Sequence, residues 1–205
     1  MDIVLLAAGS SQRMGRINKL LVEYEGTTLV CHSAIQALRF LEKEEGTNRL
    51  IVVTGYRRQS TEKALKPCKD FIEKTKASLE LIIVNNPSYR KGQFTSVQVG
   101  VEQVTEGSNF FINLADMPLI KAKHYKKISE LLGSYDAVRP FYKTEPGHPV
   151  YHSAKLKNII LKAKGKTRVS EILKDFKVLQ PDLKDKALIC DVDTISDLTE
   201  FKIHA

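Results

Sequence analysis

The chain is short of cysteine, having three in 205 residues, and Cys31, Cys68 and Cys190 are scattered with no C-x-x-C or Cys/His cluster. Structural zinc and dithiol chemistry both need closely spaced ligands or thiols, so both are excluded. Each cysteine reads instead as a small core hydrophobe. No apolar stretch approaches the ~20 residues of a membrane span, and the N-terminus lacks a cationic segment followed by an apolar run and a cleavage site. A cytoplasmic protein with no membrane partner is expected. Repeats, low-complexity tracts and linkers are also missing, so one domain over residues 1–205 is expected. At this length roughly 70% of the unfolded surface is buried on folding, and no disulfide or metal staple is needed.

Acidic charge is in deficit. The formal net charge is +8 and the pI about 9.3. Such a balance favours anionic partners. The cations are spread along the chain and no aromatic-interleaved basic motif is present, so nucleic acid is not expected. Nucleotide phosphates and an anionic small molecule account for the charge equally well.

Short apolar runs alternate with helical patterns. The runs are Asp2–Ala7, Arg49–Thr54, Leu79–Asn85, Asn109–Ala115 and Asp136–Tyr142. Near-continuous apolar runs suit strands buried on both faces of a parallel sheet. Val30, Ala34, Leu38 and Leu41 follow helical spacing, with Gly46 as the stop signal. Val97, Val101 and Val104 line one face of another helix, which Thr95-Ser96-Val97-Gln98 would open as a capping box. Shorter strands are expected at Pro149–His152 and Phe176–Gln180, and helices near Ala154–Ala163, near Arg168–Lys174 and from Thr194. The alternation predicts an α/β fold, a three-layer α/β/α sandwich on a Rossmann-like, mainly parallel sheet.

The strongest signal comes after the first strand, where the chain reads Leu6-Ala7-Ala8-Gly9-Ser10-Ser11-Gln12-Arg13-Met14-Gly15-Arg16-Ile17-Asn18-Lys19. Small residues and glycines let backbone amides approach phosphates, and the cations neutralise them. The loop is no Walker A, because Arg16 follows Gly15, and it lacks the three glycines of a dinucleotide fingerprint. L-A-A-G-x-S-x-R-M-G…K resembles the signature loop of the MobA-like nucleotidyltransferases, which include the enzymes that cap molybdopterin with GMP or CMP. The resemblance implies the nucleotide-diphospho-sugar transferase type of fold, with a nucleotide-binding half at about 1–120 and an acceptor-binding half at about 121–205. It implies that Leu6, Ala7, Ala8, Gly9, Ser10, Ser11, Arg13, Lys19 and Asp116 hold the nucleotide, and that Arg13, Lys19 and Asp116 are also catalytic. Lys19 lies four residues after Gly15, where related enzymes often have three, but Leu20-Leu21 matches the residues next to the family lysine.

Further segments match in family order. Asn113-Leu114-Ala115-Asp116-Met117-Pro118 resembles a G-D-M-P segment with alanine for its glycine, and it implies Asp116 as a Mg²⁺ ligand at a strand end. Asp191-Val192-Asp193-Thr194-Ile195-Ser196-Asp197-Leu198 resembles the I-D-T-P-E-D-L ending, which gives Asp193 as second metal ligand and Asp191 as the reserve. Thr194 with Asp197 also makes a capping box. Gly92, Ser96 and Gly100 match G-M-x-x-S-x-x-x-G, so Gly92 and Ser96 would lie along the base and ribose. Gly147, His148 and Pro149 resemble the acceptor-side G-H-P, although Thr144-Glu145-Pro146 replaces the glycine and basic residue usual upstream. The basic run Lys162, Lys164, Lys166 and Arg168 either meets acceptor phosphate or is a solvated helix end.

The expected reaction is attack of an acceptor phosphate on the nucleotide α-phosphorus, with Mg²⁺ as cofactor and pyrophosphate leaving. The expected donor is CTP, because Ala8 stands where guanylyltransferases tend to have glycine and its methyl crowds a purine. The expected acceptor is molybdopterin-type molybdenum cofactor, bound for a molybdoenzyme. The alternatives are an alditol- or sugar-phosphate transferase, a GTP-using guanylyltransferase, and a non-catalytic cofactor chaperone. A glycosyltransferase would carry an internal D-x-D, whose first acid is missing at Leu114.

Overall fold

In the first strand every residue is buried, and alternate side chains divide between two faces. A computed structural model describes residues 1–10, 18–164, 168–194 and 196–197. Strand β1 (Asp2–Ala7) sends Ile3, Leu5 and Ala7 into one apolar cluster and Val4 and Leu6 into another. Apolar on both faces, it belongs in the middle of a covered parallel sheet.

The chain then forms the hairpin β2 (Glu23–Tyr24) and β3 (Thr27–Thr28), helix α1 (Leu29–Leu41) and β4 (Asn48–Thr54). Next come α2 (Arg58–Ala64), α3 (Lys66–Lys74), β5 (Leu79–Asn85), α4 (Gln93–Glu102), β6 (Phe110–Leu114) and α5 (Ala122–Ser129). The remainder is β7 (Ala137–Val138), the hairpin β8 (Phe141–Tyr142) and β9 (Glu145–Pro146), β10 (Val150–His152), α6 (Leu156–Lys162), α7 (Val169–Ile172) and β11 (Val178–Leu179). The central sheet has the order β11-β7-β10-β6-β1-β4-β5. β6, β1, β4 and β5 are parallel, while β10 runs antiparallel between β6 and β7. Val30, Ala34 and Leu38 of α1 and Tyr125 and Ile128 of α5 cover one face. Val97 and Val101 of α4 and Leu156 and Ile160 of α6 cover the other. The mainly parallel α/β sandwich is therefore present.

Some local expectations are corrected. The strand expected at Asp136–Tyr142 is broken at Arg139-Pro140, since proline cannot donate to a ladder. Ala137–Val138 stays in the central sheet and Phe141–Tyr142 turns away into a hairpin. Helix α4 starts at Gln93, ahead of the expected capping box, and its N-cap is Gly92 at φ 122°. Thr95 lies in the first turn and its hydroxyl donates to the Gly92 carbonyl at 2.8 Å. Gly46 has φ 77°, but α1 ends at Leu41, so the glycine shapes the turn into β4 rather than capping the helix. The Asn48 amide takes that duty, donating to the Leu41, Glu44 and Gly46 carbonyls at 3.2, 2.8 and 3.1 Å.

Gly100 shows how closely α4 rides on the sheet. A Cβ there would lie 2.4 Å from Cγ1 of Val4 and 2.8 Å from Cγ2 of Val53. Both valines are buried and stiff at χ1, so neither can give way cheaply. Gly100→Ala should destabilise the protein by about 1–3 kcal/mol through overpacking, despite the ~1 kcal/mol by which alanine is the better helix former. Urea unfolding followed by circular dichroism measures this, and an unchanged midpoint would show that α4 can shift without loss.

Candidate functional site

The chain runs from β1 through β4 to β5 on one side, then returns to β6 on the other side of β1. The crevice beyond the carboxyl ends of β1 and β6 is therefore the switch point at which ligands bind in open α/β sheets. Ala8, Gly9 and Ser10 leave β1 here, and Asp116 lies two residues beyond β6.

Three distant segments meet at this crevice. Lys19 opens a 3₁₀ turn, Lys19–Leu21, whose Leu20 amide donates to the Asn18 side chain at 3.1 Å. The Lys19 ammonium lies 2.6 Å from Oδ2 of Asp116 and 3.3 Å from Oδ1 of Asp193. The amide of Val192 donates to the Asp116 carbonyl at 2.8 Å, and Val192 is buried with Tyr24 and Leu29. Asp197 accepts from the amides of Asp193 and Thr194 at 2.8 and 2.6 Å, and its own amide donates to the Thr194 hydroxyl. The capping box at Thr194 is thus formed, and it fixes the backbone of Asp193.

Burial pushes the Lys19 ammonium down, but Asp116 and then Asp193 outweigh it, so its pKa is displaced upward. Burial, and then the charges of Asp116 and Asp193, push the Asp191 carboxyl up. Oδ1 of Asp116 is buried without a hydrogen-bond partner among the described residues. That orphaned oxygen, beside a second carboxylate, fits a hard cation that takes one or two carboxylates and completes its shell with phosphate and water. Among the described residues no group of three or more His, Cys, Asp or Glu surrounds a metal position.

A cavity of about 680 Å³ opens here, lined by Leu6, Ala8, Gly9, Ser10, Lys19 and Asp116 together with Ser96. A Cβ on Gly9 would meet no atom of the described residues within 4 Å. The methyl of Ala8 faces Gly55, where an added Cβ would come within 2.9 Å of it. Ala7 points into the core and lines no wall. Ser11 and Arg13 lie outside the described residues. Tyr89 and Arg90, which open the matched segment Tyr89–Gly100 expected along the base and ribose, also line this cavity, as does Tyr56, which had no place in the sequence expectation. The two rings are 6.5 Å apart, and the Arg90 guanidinium sits over Tyr89. Tyr56 comes just after the end of β4, so the strand-end rule alone could have found it.

Gly92 and Ser96 are placed by a polar knot at the start of α4. The buried Asn86 amide donates to the hydroxyls of Thr95 and Ser96 at 2.9 and 2.8 Å. Gly92 is called for by its positive φ at the helix cap. Gln98 faces away, donating to the carbonyls of Ile160, Leu161 and Ala163 that end α6.

A second cavity of about 600 Å³ adjoins the first across the shared residues Leu6, Gln93 and Leu114. Gly92 and His148 line it, with Arg139, His152 and Arg168. Arg168 therefore faces a cavity, whereas Lys166 lies outside the described residues. Gly147 and Pro149 line neither cavity. Gly147 is needed for packing, since a Cβ there would lie 2.5 Å from the Leu188 carbonyl oxygen. The His148 amide donates to that same carbonyl at 2.8 Å, which orients the loop. Burial, together with the nearby Arg139 charge, brings His148 down to about 4. Burial brings His152 down to about 3.

The chain matches the MobA-like NTP transferase domain over residues 3–182. The chain belongs to that family. It is 27% identical over 201 residues, 98% of this chain and 95% of the relative, to the molybdenum cofactor cytidylyltransferase of Escherichia coli (strain K12). Among solved structures it is similar to 4-diphosphocytidyl-2C-methyl-D-erythritol synthase from Anaerococcus prevotii DSM 20548 (TM-score 0.70, 15% identity, 99% of this chain and 94% of that one). It is also similar to a manganese complex of Rv0371c from Mycobacterium tuberculosis H37Rv (TM-score 0.63, 17% identity, 100% and 98% covered). The protein is thus a MobA-like nucleotidyltransferase with the fold of the nucleotide-diphospho-sugar transferases. No helix among its described residues is long and apolar enough to cross a membrane.

The buried histidines give this transferase a predictable acid sensitivity. His152 is fully buried, stacked on Phe110 at 5.1 Å, and held neutral down to about pH 3. Its folded pKa is depressed, so its contribution to stability is present above the unfolded value of about 6.5. That contribution is lost as pH falls from there towards 3, because the unfolded chain takes up a proton that the folded one refuses. His152→Phe should remove about 1.4 kcal/mol per pH unit of slope between pH 6 and 4. Denaturant titrations across that range test this, and an unchanged slope would mean His152 does not titrate on unfolding as its burial requires.

Proposed function

We propose that this MobA-like transferase moves CMP from CTP to the phosphate of a molybdopterin-type molybdenum cofactor, releasing pyrophosphate, with Mg²⁺ as cofactor. It works as one cytoplasmic domain, residues 1–205, and its product is destined for a molybdoenzyme. The observation that carries this reading is Lys19, held 2.6 Å from Asp116 and 3.3 Å from Asp193 at the switch-point crevice. The likeness to the bacterial cytidylyltransferase supports cytosine and the molybdenum cofactor over other donor and acceptor pairs. An alditol-phosphate acceptor is favoured only by the shared fold.

In this mechanism the first-loop amides at Ala8–Ser11 and the Arg13 side chain hold the triphosphate, and Ser96 bounds the base and ribose, while Gly92, which lines the adjoining cavity, sets the start of α4 that carries Ser96. Asp116 and Asp193 would hold the metal, with Asp191 beside them. When bound, Mg²⁺ neutralises and orients the triphosphate oxygens. Lys19, beside those carboxylates, would offer its ammonium to the α-phosphate as negative charge builds. An acceptor phosphate oxygen bonds to the α-phosphorus while the bond from α-phosphorus to the bridging oxygen breaks, and the electron pair leaves on pyrophosphate. A phosphate monoester, with a second pKa of ~6, arrives already ionised. Gly147, His148 and Pro149 shape the acceptor side.

Asp116→Ala should abolish pyrophosphate release while leaving the circular dichroism spectrum unchanged. Near-normal turnover in that variant with Mg²⁺ would sink the metal assignment. Lys19→Ala should lower turnover by ~10²-fold or more, the usual scale for one lost transition-state charge stabiliser. A raised KM with turnover intact would make Lys19 a ground-state anchor only.

Competition between labelled CTP and GTP on molybdenum cofactor should favour CTP, and Ala8→Gly should relax that preference. One packing contact is worth about 1–3 kcal/mol, so roughly 10–200-fold is the ceiling. Because the Ala8 methyl also faces Gly55, the variant's unfolding midpoint should be measured alongside. A wild-type preference for GTP would refute the base assignment and spare the metal site.

A further inference from the structure

Helix α1 is buried along most of its length, and three of its buried residues, His32, Ser33 and Gln36, are polar. Burying an imidazole, a hydroxyl or an amide is costly unless it is hydrogen-bonded. All three reach the same target, the connection from β6 into α5. The Ser33 hydroxyl donates to the Ala115 carbonyl at 2.9 Å, and Nε2 of His32 lies 3.1 Å from the Pro118 carbonyl. A carbonyl only accepts, so Nε2 carries a proton whatever the charge of the ring. Farther along, the Gln36 side-chain oxygen accepts from the Ala122 amide at 3.4 Å, where α5 begins.

Asp116 lies between the two carbonyls that Ser33 and His32 hold. Its own carbonyl accepts from the Val192 amide at 2.8 Å, and its Oδ2 faces the Lys19 ammonium. Oδ1 is buried with no hydrogen-bond partner among the described residues. The aim of Oδ1 is therefore inherited from the backbone, and α1 pins that backbone one residue before Asp116 and two residues after it. The same turn of α1 also supports the other members of the site. Leu29 packs with Tyr24 and Val192, next to Asp193, and its amide donates to the Val22 carbonyl at 3.0 Å, just past the turn that carries Lys19. The His32 ring stands edge-on to Tyr24 with centroids 4.8 Å apart, and its Nδ1 faces the Glu25 carboxylate of that hairpin at 3.4 Å.

We infer that His32 and Ser33 are positioning residues for nucleotidyl transfer, aiming the Asp116 carboxylate at its cation by holding the Ala115 and Pro118 carbonyls. Neither side chain lines the nucleotide cavity, so each acts through the backbone of Asp116. This rests on the transferase reading, in which Asp116 holds the metal.

The test is the factor by which Mn²⁺ tightens nucleotide binding, taken from calorimetric affinities with Mn²⁺ and with EDTA. That factor reports the coupling between metal and nucleotide and cancels damage that weakens both measurements alike. It is measured with CTP and with GTP, so that a wrong base assignment does not silence it. Wild type should gain about 30-fold from Mn²⁺. His32→Leu and Ser33→Ala should each lower that gain by about ten-fold, the scale expected of groups that orient a metal ligand. Affinity in EDTA should stay within about two-fold of wild type, which shows that the variants are folded. His32→Gln keeps an N–H near the position of Nε2 and should restore most of the gain. Leu38→Ala opens a cavity under the same helix and should unfold at lower urea, yet keep the wild-type gain. The inference is overturned if His32→Leu and Ser33→Ala keep the wild-type gain, if His32→Gln does no better than His32→Leu, or if Leu38→Ala loses the gain as they do. No gain in wild type with either nucleotide would strike the metal reading of the site, and the inference with it.

Discussion

Lys19 between Asp116 and Asp193 is the contact on which the functional end of the molecule depends. Two carboxylates brought together at the end of a parallel sheet repel one another, and at partial burial that repulsion is felt across several ångströms. One ammonium reaching both, at 2.6 and 3.3 Å, lets them be held in place before any ligand arrives. The arrangement also ties the chain ends together, since Lys19 and Asp193 are 174 residues apart. The Val192 amide on the Asp116 carbonyl completes that closure through the backbone. Strand order makes this possible, because only the crevice between β1 and β6 brings a first-loop lysine within reach of a strand-end aspartate.

The sheet was legible wherever burial on both faces left a continuous apolar run. Asp2–Ala7 and Leu79–Asn85 have the expected limits, and Arg49–Thr54 gains only Asn48. The misreading came at Asp136–Tyr142, where apolar character continues through Arg139-Pro140 and the ladder does not. The helix expected from Thr95 shows a different limit. Its Ser/Thr signal is real, but the hydroxyls serve Asn86, just past the end of β5, and Gly92 starts the helix earlier. A side chain that hydrogen-bonds across elements leaves no periodicity to read.

The candidate site divides along the same line. Lys19, Asp116 and Asp193 were legible because each sits in a contiguous motif, and the fold brings all three together. Tyr56, Arg139 and His152 belong to no motif and acquire meaning only from the cavities they line. Gly147 shows that a matched motif residue can serve packing. Its approach to the Leu188 carbonyl positions His148, which lines the cavity while Gly147 itself does not.

The two adjoining cavities are charged for different guests. The first pairs cations with a carboxylate, so a polyphosphate there needs a further cation before its charge is balanced. Among the described residues the charged side chains lining the second are all cations, so it can take an anion directly. His148 lies in the second cavity within reach of the fields of both Arg139 and Asp116, where a base toward the proposed acceptor could act. Its depressed pKa of about 4 argues against that role. A phosphate monoester gives up its second proton at ~6, so passing that proton to an imidazole of pKa about 4 would run uphill by about a hundred-fold. On the proposed reading the acceptor would therefore enter already ionised. On the same reading His148 would orient it as a neutral hydrogen-bonding group, and the acceleration would fall to positioning and to the charge at Lys19 and at a cation held by Asp116 and Asp193.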